Sequence, residues 1–259
     1  MNESQSGAER GTSPGYSVVI PVHNEEANIP VLIKGLMPVM EKLGRGYEVI
    51  LVDDGSTDGS YAQMVRLQRT FPQMVLVKFR GRNGQTAAFD AGFRQARGEI
   101  VITLDADLQY DPEDIPELLS HLNSADVVCG YRTQRADNFI RRISSRLANS
   151  VRNRLSHDQV RDVGCSLRAI KRAGLKRMKL YEGMHRFLPT LLKMDGLRIV
   201  EVPVHHRPRI YGSTKYNIRN RLFKSLMDLF VVRWMKRRWL TYEIEEVRTW
   251  DRNSGSSSG

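Results

Sequence analysis

Ten residues, Ile100-Val-Ile-Thr-Leu-Asp-Ala-Asp-Leu-Gln109, constrain this chain more than any other stretch. Ile100 to Leu104 are apolar or β-branched without a break. Such a run belongs to a strand buried on both faces of a parallel sheet. It stops at Asp105, and Asp107 follows two residues later. Carboxylates just past the end of a buried strand stand where open α/β sheets bind ligands. Two acids with the side-chain oxygen of Gln109 beyond them suit a hard divalent cation that also holds a substrate's phosphates. A strand-end turn with solvated acids fits these residues equally well in isolation, because Asp favours turns.

The rest of the first half repeats the design. Tyr16–Val22 is a β-rich run, with Pro21 near its end where a missing N–H is harmless. His23-Asn-Glu-Glu26 opens a helical stretch to about Leu43, with Asn24 as the expected N-cap and Pro30 and Pro38 as expected breaks. Tyr47–Val52 is a second strand and runs into Asp53-Asp54-Gly-Ser-Thr-Asp58, a second acidic strand end. Asp54 and Asp58 have the alternative of capping the next helix, Gly59–Thr70. Met74–Phe79 is a third strand, and Arg80-Gly-Arg-Asn-Gly84 is a basic loop at the start of the helix Gln85–Arg97. A helix N-terminus behind a basic loop attracts anions, although a solvated loop is the bland alternative. Alternating strands and helices with short connections predict a parallel sheet with right-handed crossovers. Asp111-Pro-Glu-Asp114 starts a further helix to about Leu122, and Asp126–Gly130 is a fifth strand.

Charge divides the chain. Residues 1–130 carry 11 Lys/Arg and 18 Asp/Glu, a net −7. Residues 131–240 carry 27 and 7, a net +20, and residues 241–259 carry 2 and 4, a net −2. A basic half fits nucleic acid, anionic lipid or a phosphorylated substrate. No zinc-finger spacing or aromatic RNA-binding motif appears, so a nucleic-acid partner is not expected. Two cysteines, Cys129 and Cys165, exclude a disulfide scaffold and fit a reducing compartment. Residues 1–15 read as a disordered polar N-terminus with no secretory signal, and Ser254–Gly259 as flexible linker. No apolar run reaches the ~18 residues of a membrane span.

The basic half has its own landmarks. Asn138–Arg154 reads as a helix on which Arg141 and Ser145, four residues apart, share a face, as do Arg142 and Arg146. Guanidinium and hydroxyl on one face suit phosphate; a solvated basic face is the alternative. The small residues of Asp162-Val-Gly-Cys-Ser166 allow close approach to a ligand. His185 beside Glu182 reads as structural rather than catalytic. His205-His-Arg-Pro-Arg-Ile-Tyr-Gly-Ser-Thr-Lys215 is a cationic loop with the character of a lid. In Asn217–Leu240, apolar residues fall near one helical stripe, with Trp234 and Trp239 among crowded Lys and Arg. That pattern suits either a membrane interface or docking on the domain core.

Four segments together, Val19-Ile-Pro-Val-His-Asn-Glu25, Val52-Asp-Asp-Gly-Ser-Thr-Asp58, Leu104-Asp-Ala-Asp-Leu-Gln109 and Arg209-Ile-Tyr-Gly-Ser-Thr-Lys215, resemble the family 2 glycosyltransferases of the GT-A fold. The similarity is greatest to the dolichol-phosphate mannose synthase branch, with its bacterial polyprenyl-phosphate hexose transferases, and covers about residues 16–240. It implies a Rossmann-like, mostly parallel α/β sheet flanked by helices. It also implies a catalytic domain over 16–216, a membrane-surface helix over 217–242 and a tail over 243–259. Within the domain, 16–130 is the nucleotide-sugar half and 131–216 the acceptor half.

By the same resemblance, Pro21, Val22, Asn24, Glu25, Asp53, Asp54, Arg82, Asp105 and Ala106 form the nucleotide-sugar site. Asp105, Asp107 and Gln109 are the expected ligands of Mg2+ or Mn2+. Arg132, Arg141 and Ser145 match positions that hold a lipid phosphate, and Arg209 and Lys215 match a loop that closes on the donor diphosphate. The implied partners are a GDP-mannose or UDP-glucose type donor, a dolichyl or undecaprenyl phosphate, and a membrane surface. The implied reaction is inverting transfer of a mannose- or glucose-type hexose. Many members of that family continue into transmembrane helices, whereas this chain turns acidic at Glu243–Glu246. That implies a peripheral enzyme at a cytoplasmic membrane face, a chain cut before its anchors, or one with a membrane partner subunit or a homo-oligomer.

The chemistry agrees with the charge split. A polyprenyl phosphate is an anionic nucleophile at neutral pH and requires no general base. The enzyme must place two anions together and stabilise a leaving diphosphate. A family member acting on a sugar or protein hydroxyl instead needs a carboxylate base, for which Asp162 is the obvious candidate. A non-enzymatic basic module for lipid or nucleic acid leaves Asp53, Asp105 and Asp107 unexplained.

Overall fold

The structure is a computed structural model that describes residues 13–133, 161–162, 164–176, 178–208, 218–240 and 245–246. Its strands are β1 (Tyr16–Val22), β2 (Tyr47–Asp53), β3 (Met74–Lys78), β4 (Ile100–Thr103), β5 (Val127–Arg132), β6 (Arg168–Lys171) and β7 (Ile199–Val204). They form one seven-stranded sheet in the order β3-β2-β1-β4-β6-β5-β7. β1, β2, β3 and β4 are mutually parallel. β6 runs antiparallel to both of its neighbours, β4 and β5, while β7 is parallel to β5. The helices are α1 (Asn28–Lys42), α2 (Ser60–Gln68), α3 (Gln85–Gln95), α4 (Ile115–Ser120), α5 (Arg172–Leu175), α6 (Leu188–Met194) and α7 (Ile218–Arg237). The mostly parallel α/β sheet expected from the sequence is therefore present, and residues from both charge halves build it.

Period-two side-chain alternation divides the core between the two faces of the sheet. Val18 and Ile20 of β1 join the cluster with Ile29, Leu32, Ile33, Leu36 and Met40 of α1. Val19, between them, joins Ile50, Val52, Val101 and the α3 residues Ala88 and Phe89. Helices on both faces explain why the strands read as continuous apolar runs. Gly92 lets α3 lie against Val19 so closely that a Cβ would overlap its Cγ1.

Three local expectations are corrected. Asn24 does not cap α1. The helix begins four residues later, and Asn24 takes a left-handed backbone with φ 57°. α1 is also unbroken across both prolines. Pro30 falls in the first turn, where N–H groups have no intrahelical partner. Pro38 sits in the interior, and the buried face around it holds the helix through one lost backbone bond. The helix expected over Asp111–Leu122 is a 3₁₀ turn, then α4, then a second 3₁₀ turn.

Strand order reverses at β1: β2 and β3 lie on one side, β4 on the other. The crevice at the carboxyl ends of β1 and β4 is thus a topological switch point, the usual ligand site of such sheets.

Candidate active site

The loops leaving β1 and β2 are stitched into one ledge along this edge. The backbone N–H of Asn24 donates to Ser56 Oγ at 3.0 Å, and Asn24 Oδ1 accepts from the N–H of Thr57 at 2.8 Å. The N–H of Glu25 donates to Ser60 Oγ at 2.8 Å. Asp58 accepts from the N–H groups of Ser60 and Glu26. Burial raises its pKa, but the Ser60 hydroxyl, which also donates to it, and these N–H groups together outweigh that and draw the carboxyl below the usual range. His23 Nδ1 lies 2.9 Å from the carbonyl of Asp54, an acceptor, so the proton belongs on Nδ1. Val22 is buried and its carbonyl accepts from the N–H of Asp54 at 2.8 Å. Pro21, half-buried, pairs with Val52 of β2. Glu25 accepts from Asn28 Nδ2 at the start of α1.

The two adjacent acids at the end of β2, Asp53 and Asp54, have different surroundings. Asp54 turns to the basic loop and accepts from the N–H groups of Asn83 at 2.6 Å and Gly84 at 2.9 Å. It thereby fixes the loop that carries the exposed Arg82. Gly55 makes this approach feasible: its φ is +63°, and a Cβ would lie 2.5 Å from the Gly81 carbonyl carbon. Asp53 is fully buried, and its Oδ1 accepts from the N–H of Ser56 at 3.2 Å. Its Oδ2 is buried with no hydrogen-bond partner among the described residues. A buried acceptor left so costs about 1–3 kcal/mol unless a ligand donates to it.

Beyond β4, Asp105 Oδ1 accepts from Gln85 Nε2 at 2.8 Å, which ties the acidic turn to the first residue of α3. Ala106 and Asp107 are buried, and Asp107 Oδ1 accepts from the N–H of Gln109 at 3.2 Å. Leu108 between them has φ 61°, a strained value for a γ-branched residue that tightens the turn. Among the described residues no group of three or more His, Cys, Asp or Glu is arranged to hold a metal. Two aspartates and an amide fit Mg2+ or Mn2+ only as part of a set completed by substrate phosphate and water, the usual pattern for hard cations at nucleotide sites.

Arg132 ends β5 and carries the basic side of the crevice. Its Nε donates to Asp162 Oδ2 at 2.6 Å and its Nη2 to Asp162 Oδ1 at 2.9 Å. Tyr110 lies between the acidic and basic sides, with its hydroxyl donating to the carbonyl of Gly164 at 3.3 Å. Burial, with Cys165, Asp105 and Asp162 near its ring, drives its pKa far up despite Arg132. Tyr110 is thus a neutral hydroxyl. Arg141, Ser145, Arg209 and Lys215 lie outside the described residues. The strand leading to the cationic loop is anchored beside the acidic turn: the N–H of Arg207 donates to the carbonyl of Gln109 at 2.8 Å, and Arg207 pairs with Asp111. His205 Nδ1 meets Asp114 Oδ1 at 2.7 Å.

Sequence reading missed Gln85, Asp114 and Thr86 as supports of this edge. Thr86 Oγ1 binds His185 Nδ1 at 2.7 Å and accepts from the N–H of Gly183 at 3.1 Å. His185 is therefore held by Thr86, as a structural histidine is. A polar pair opening a helix was the available signal. Cys129 and Cys165 are free, buried thiols, both pushed up to about 12 by desolvation.

Seven strands in this order, with acids at the switch point, describe an α/β scaffold that takes its ligand at the carboxyl edge of the sheet. The family model for glycosyl transferase family 2 matches residues 17–180, and the chain belongs to that family. It is 38% identical over 215 residues to the undecaprenyl-phosphate 4-deoxy-4-formamido-L-arabinose transferases of Salmonella paratyphi B and Salmonella newport. The match covers 82% of this chain and 65% of theirs, so the chain spans about two thirds of the length of these curated relatives. Among solved structures, it is similar to a mannosyltransferase from Pyrobaculum calidifontis in complex with GDP-Man and Mn2+. There the TM-score is 0.62 and the identity 23%, covering 85% of this chain and 64% of that one. It is also similar to glucosyl-3-phosphoglycerate synthase from Mycobacterium tuberculosis in complex with Mn2+, UDP and glucosyl-3-phosphoglycerate. There the TM-score is 0.63 and the identity 21%, covering 85% and 80%. These neighbours carry the GT-A fold that the four motifs implied.

Proposed function

We propose that the protein transfers a glycosyl group from a nucleoside-diphosphate sugar to a polyprenyl phosphate at a membrane surface. The observation that carries this reading is the crevice itself: Asp53, Asp105 and Asp107 at the carboxyl edge, faced across Tyr110 by Arg132. The buried Oδ2 of Asp53 suits an N–H or O–H of the nucleoside. Asp105, Asp107 and Gln109 would hold Mg2+ or Mn2+, which supplies charge neutralisation to the leaving diphosphate. Arg132 would hold the acceptor phosphate, an oxygen of which attacks the anomeric carbon from the side opposite the diphosphate and inverts it. Because that oxygen is already anionic, the side chains need only position it and offset repulsion between the two anions.

The named Salmonella relatives support undecaprenyl phosphate as the acceptor. Their sugar is a formamido-arabinose, a five-carbon skeleton, whereas the motifs led us to expect a hexose. The reading with a hydroxyl acceptor is disfavoured, since Asp162, its candidate base, already accepts two hydrogen bonds from Arg132.

α7 supports membrane attachment. Leu229 and Val232 are buried against Met184, Phe187 and Leu191, so the helix is docked on the core. Met227, Phe230, Val231 and Trp234 remain exposed, with Arg233, Lys236, Arg237 and Arg238 beside them. Exposed apolar groups among cations suit anionic headgroups. No helix among the described residues is long and apolar enough to cross a membrane.

The test is a thermal-shift panel of UDP-, GDP- and dTDP-sugars with Mn2+, including formamido-arabinose and hexose donors. Turnover of the stabilising donor with undecaprenyl phosphate in detergent follows. Stabilisation by one donor class and formation of a lipid-linked sugar are expected. Absence of any nucleotide-dependent shift, or transfer to a free sugar instead of the lipid, overturns the reading.

A further inference from the structure

We infer that Asp162 is a positioning residue that holds Arg132 in one orientation toward the acceptor phosphate, and that it is not a proton acceptor in the reaction. The inference rests on the acceptor-phosphate role proposed for Arg132. Asp162 is buried, at 5% exposure, on the stretch entering β6, thirty residues after Arg132 in sequence. Its two carboxylate oxygens take the Nε and Nη2 protons of Arg132 in a side-on fork, at 2.6 and 2.9 Å. Oδ2 lies 3.3 Å from the backbone nitrogen of Arg132, and Oδ1 accepts from the N–H of Gly164 at 3.1 Å. One carboxylate thus fixes the guanidinium, the strand end that bears it and the adjoining turn.

The fork has a geometric consequence. Guanidinium carries five N–H donors in one plane. Asp162 takes one from Nε and one from Nη2, along one edge of that plane, leaving the Nη1 edge to face a second anion. Rotation of the long side chain is stopped before any ligand arrives, so less rotamer freedom is lost on binding. The turn is shaped around this arrangement: a Cβ on Gly164 would lie 2.8 Å from Arg132 Nη2. Tyr110, packed beside the pair, donates to the Gly164 carbonyl at 3.3 Å and closes the other side of the turn. A carboxylate whose two oxygens are both engaged by a guanidinium fork is a poor general base, since taking a proton would break the fork.

The test uses the full chain and farnesyl phosphate, a soluble short-chain acceptor probe, with binding followed by isothermal titration and UDP with Mn2+ as the donor-side control. Asp162→Asn keeps size and shape but leaves one oxygen and no charge. It is expected to weaken farnesyl phosphate binding about tenfold, as loss of a charged fork does, while UDP binding stays within twofold. In an Arg132→Ala background the same substitution should add less than about twofold, because the two residues act as one unit. Should Asp162→Asn fold poorly, Arg132→Lys tests the same fork. Lysine keeps the charge without the rigid planar fork, and is expected to weaken the probe by a similar factor. Unchanged probe binding in Asp162→Asn, or an equal loss with and without Arg132, overturns the positioning role. Unchanged binding in Arg132→Ala would instead sink the acceptor-site assignment on which it rests.

Discussion

Single residues on this edge do separate jobs despite similar chemistry. Asp53 and Asp54 are adjacent acids, yet Asp54 is consumed by the N–H groups of Asn83 and Gly84 while Asp53 keeps a buried oxygen without a hydrogen-bond partner among the described residues. We expect Asp53→Asn to reduce affinity for nucleoside diphosphate about tenfold, by removing an acceptor to the nucleoside. Its melting temperature should not fall, since the variant removes a buried charge. Isothermal titration and a melt check both. Asp107→Ala is expected to abolish turnover in a purified-lipid assay; near-normal activity would remove Asp107 from the metal set. His205 offers a pH readout. Its hydrogen bond to Asp114 and the charge of Asp114 raise its pKa, with a smaller rise from Asp111, against smaller opposing effects of desolvation and Arg207. A folded pKa above the unfolded value gives stability that is complete below about pH 6.5 and is lost as pH rises through the folded value. Melting temperature measured from about pH 5 to pH 8 should therefore fall more for the wild type than for His205→Asn, and parallel curves would exclude the link.

At the level of elements, β1 to β5 were legible because burial on both faces leaves a continuous apolar run, and each fell where such a run was read. Helix α1 was misjudged at its start because the Asn24 signature for a cap is also that of a left-handed turn residue, and only the partner loop Ser56–Ser60 decides between them. Helix α7 presented two readings, core docking and membrane interface, and the structure realises the first on one side while leaving the second side exposed. The two sides make separable predictions. Leu229→Ala should lower stability by about 3 kcal/mol through an unfilled core site, read by denaturant unfolding. Phe230→Ser combined with Trp234→Ser should leave unfolding unchanged and weaken sedimentation with phosphatidylglycerol vesicles. Equal vesicle binding in that double variant would move the lipid contact elsewhere.

For the molecule as a whole, the charge split becomes an arrangement in space: acids at the carboxyl ends of β2 and β4, and Arg132 at the end of β5 in the same sheet. Under the proposed function, two aspartates would hold a divalent cation weakly alone, and the donor diphosphate would complete the set. We therefore expect Mn2+ and UDP to tighten each other's binding by the same factor, on the order of tenfold, as linkage requires. Titration of each ligand with and without the other measures it. Chelation of the metal should abolish turnover, and full activity in excess EDTA would exclude a metal role.

The sequence by itself determined which segments form the first five strands, that acids end the second and fourth of them, and that the chain belongs to glycosyl transferase family 2. Those properties follow from the periodicity of burial and from residue order, which act within a few neighbours along the chain. Only the tertiary structure decided that antiparallel β6 separates β4 from β5, that Asp54 braces a loop while Asp53 is buried beside it, and that Asp162 clasps Arg132. Each of these depends on which distant backbone or side chain arrives alongside, and strand order in the sheet sets that where no local pattern encodes it.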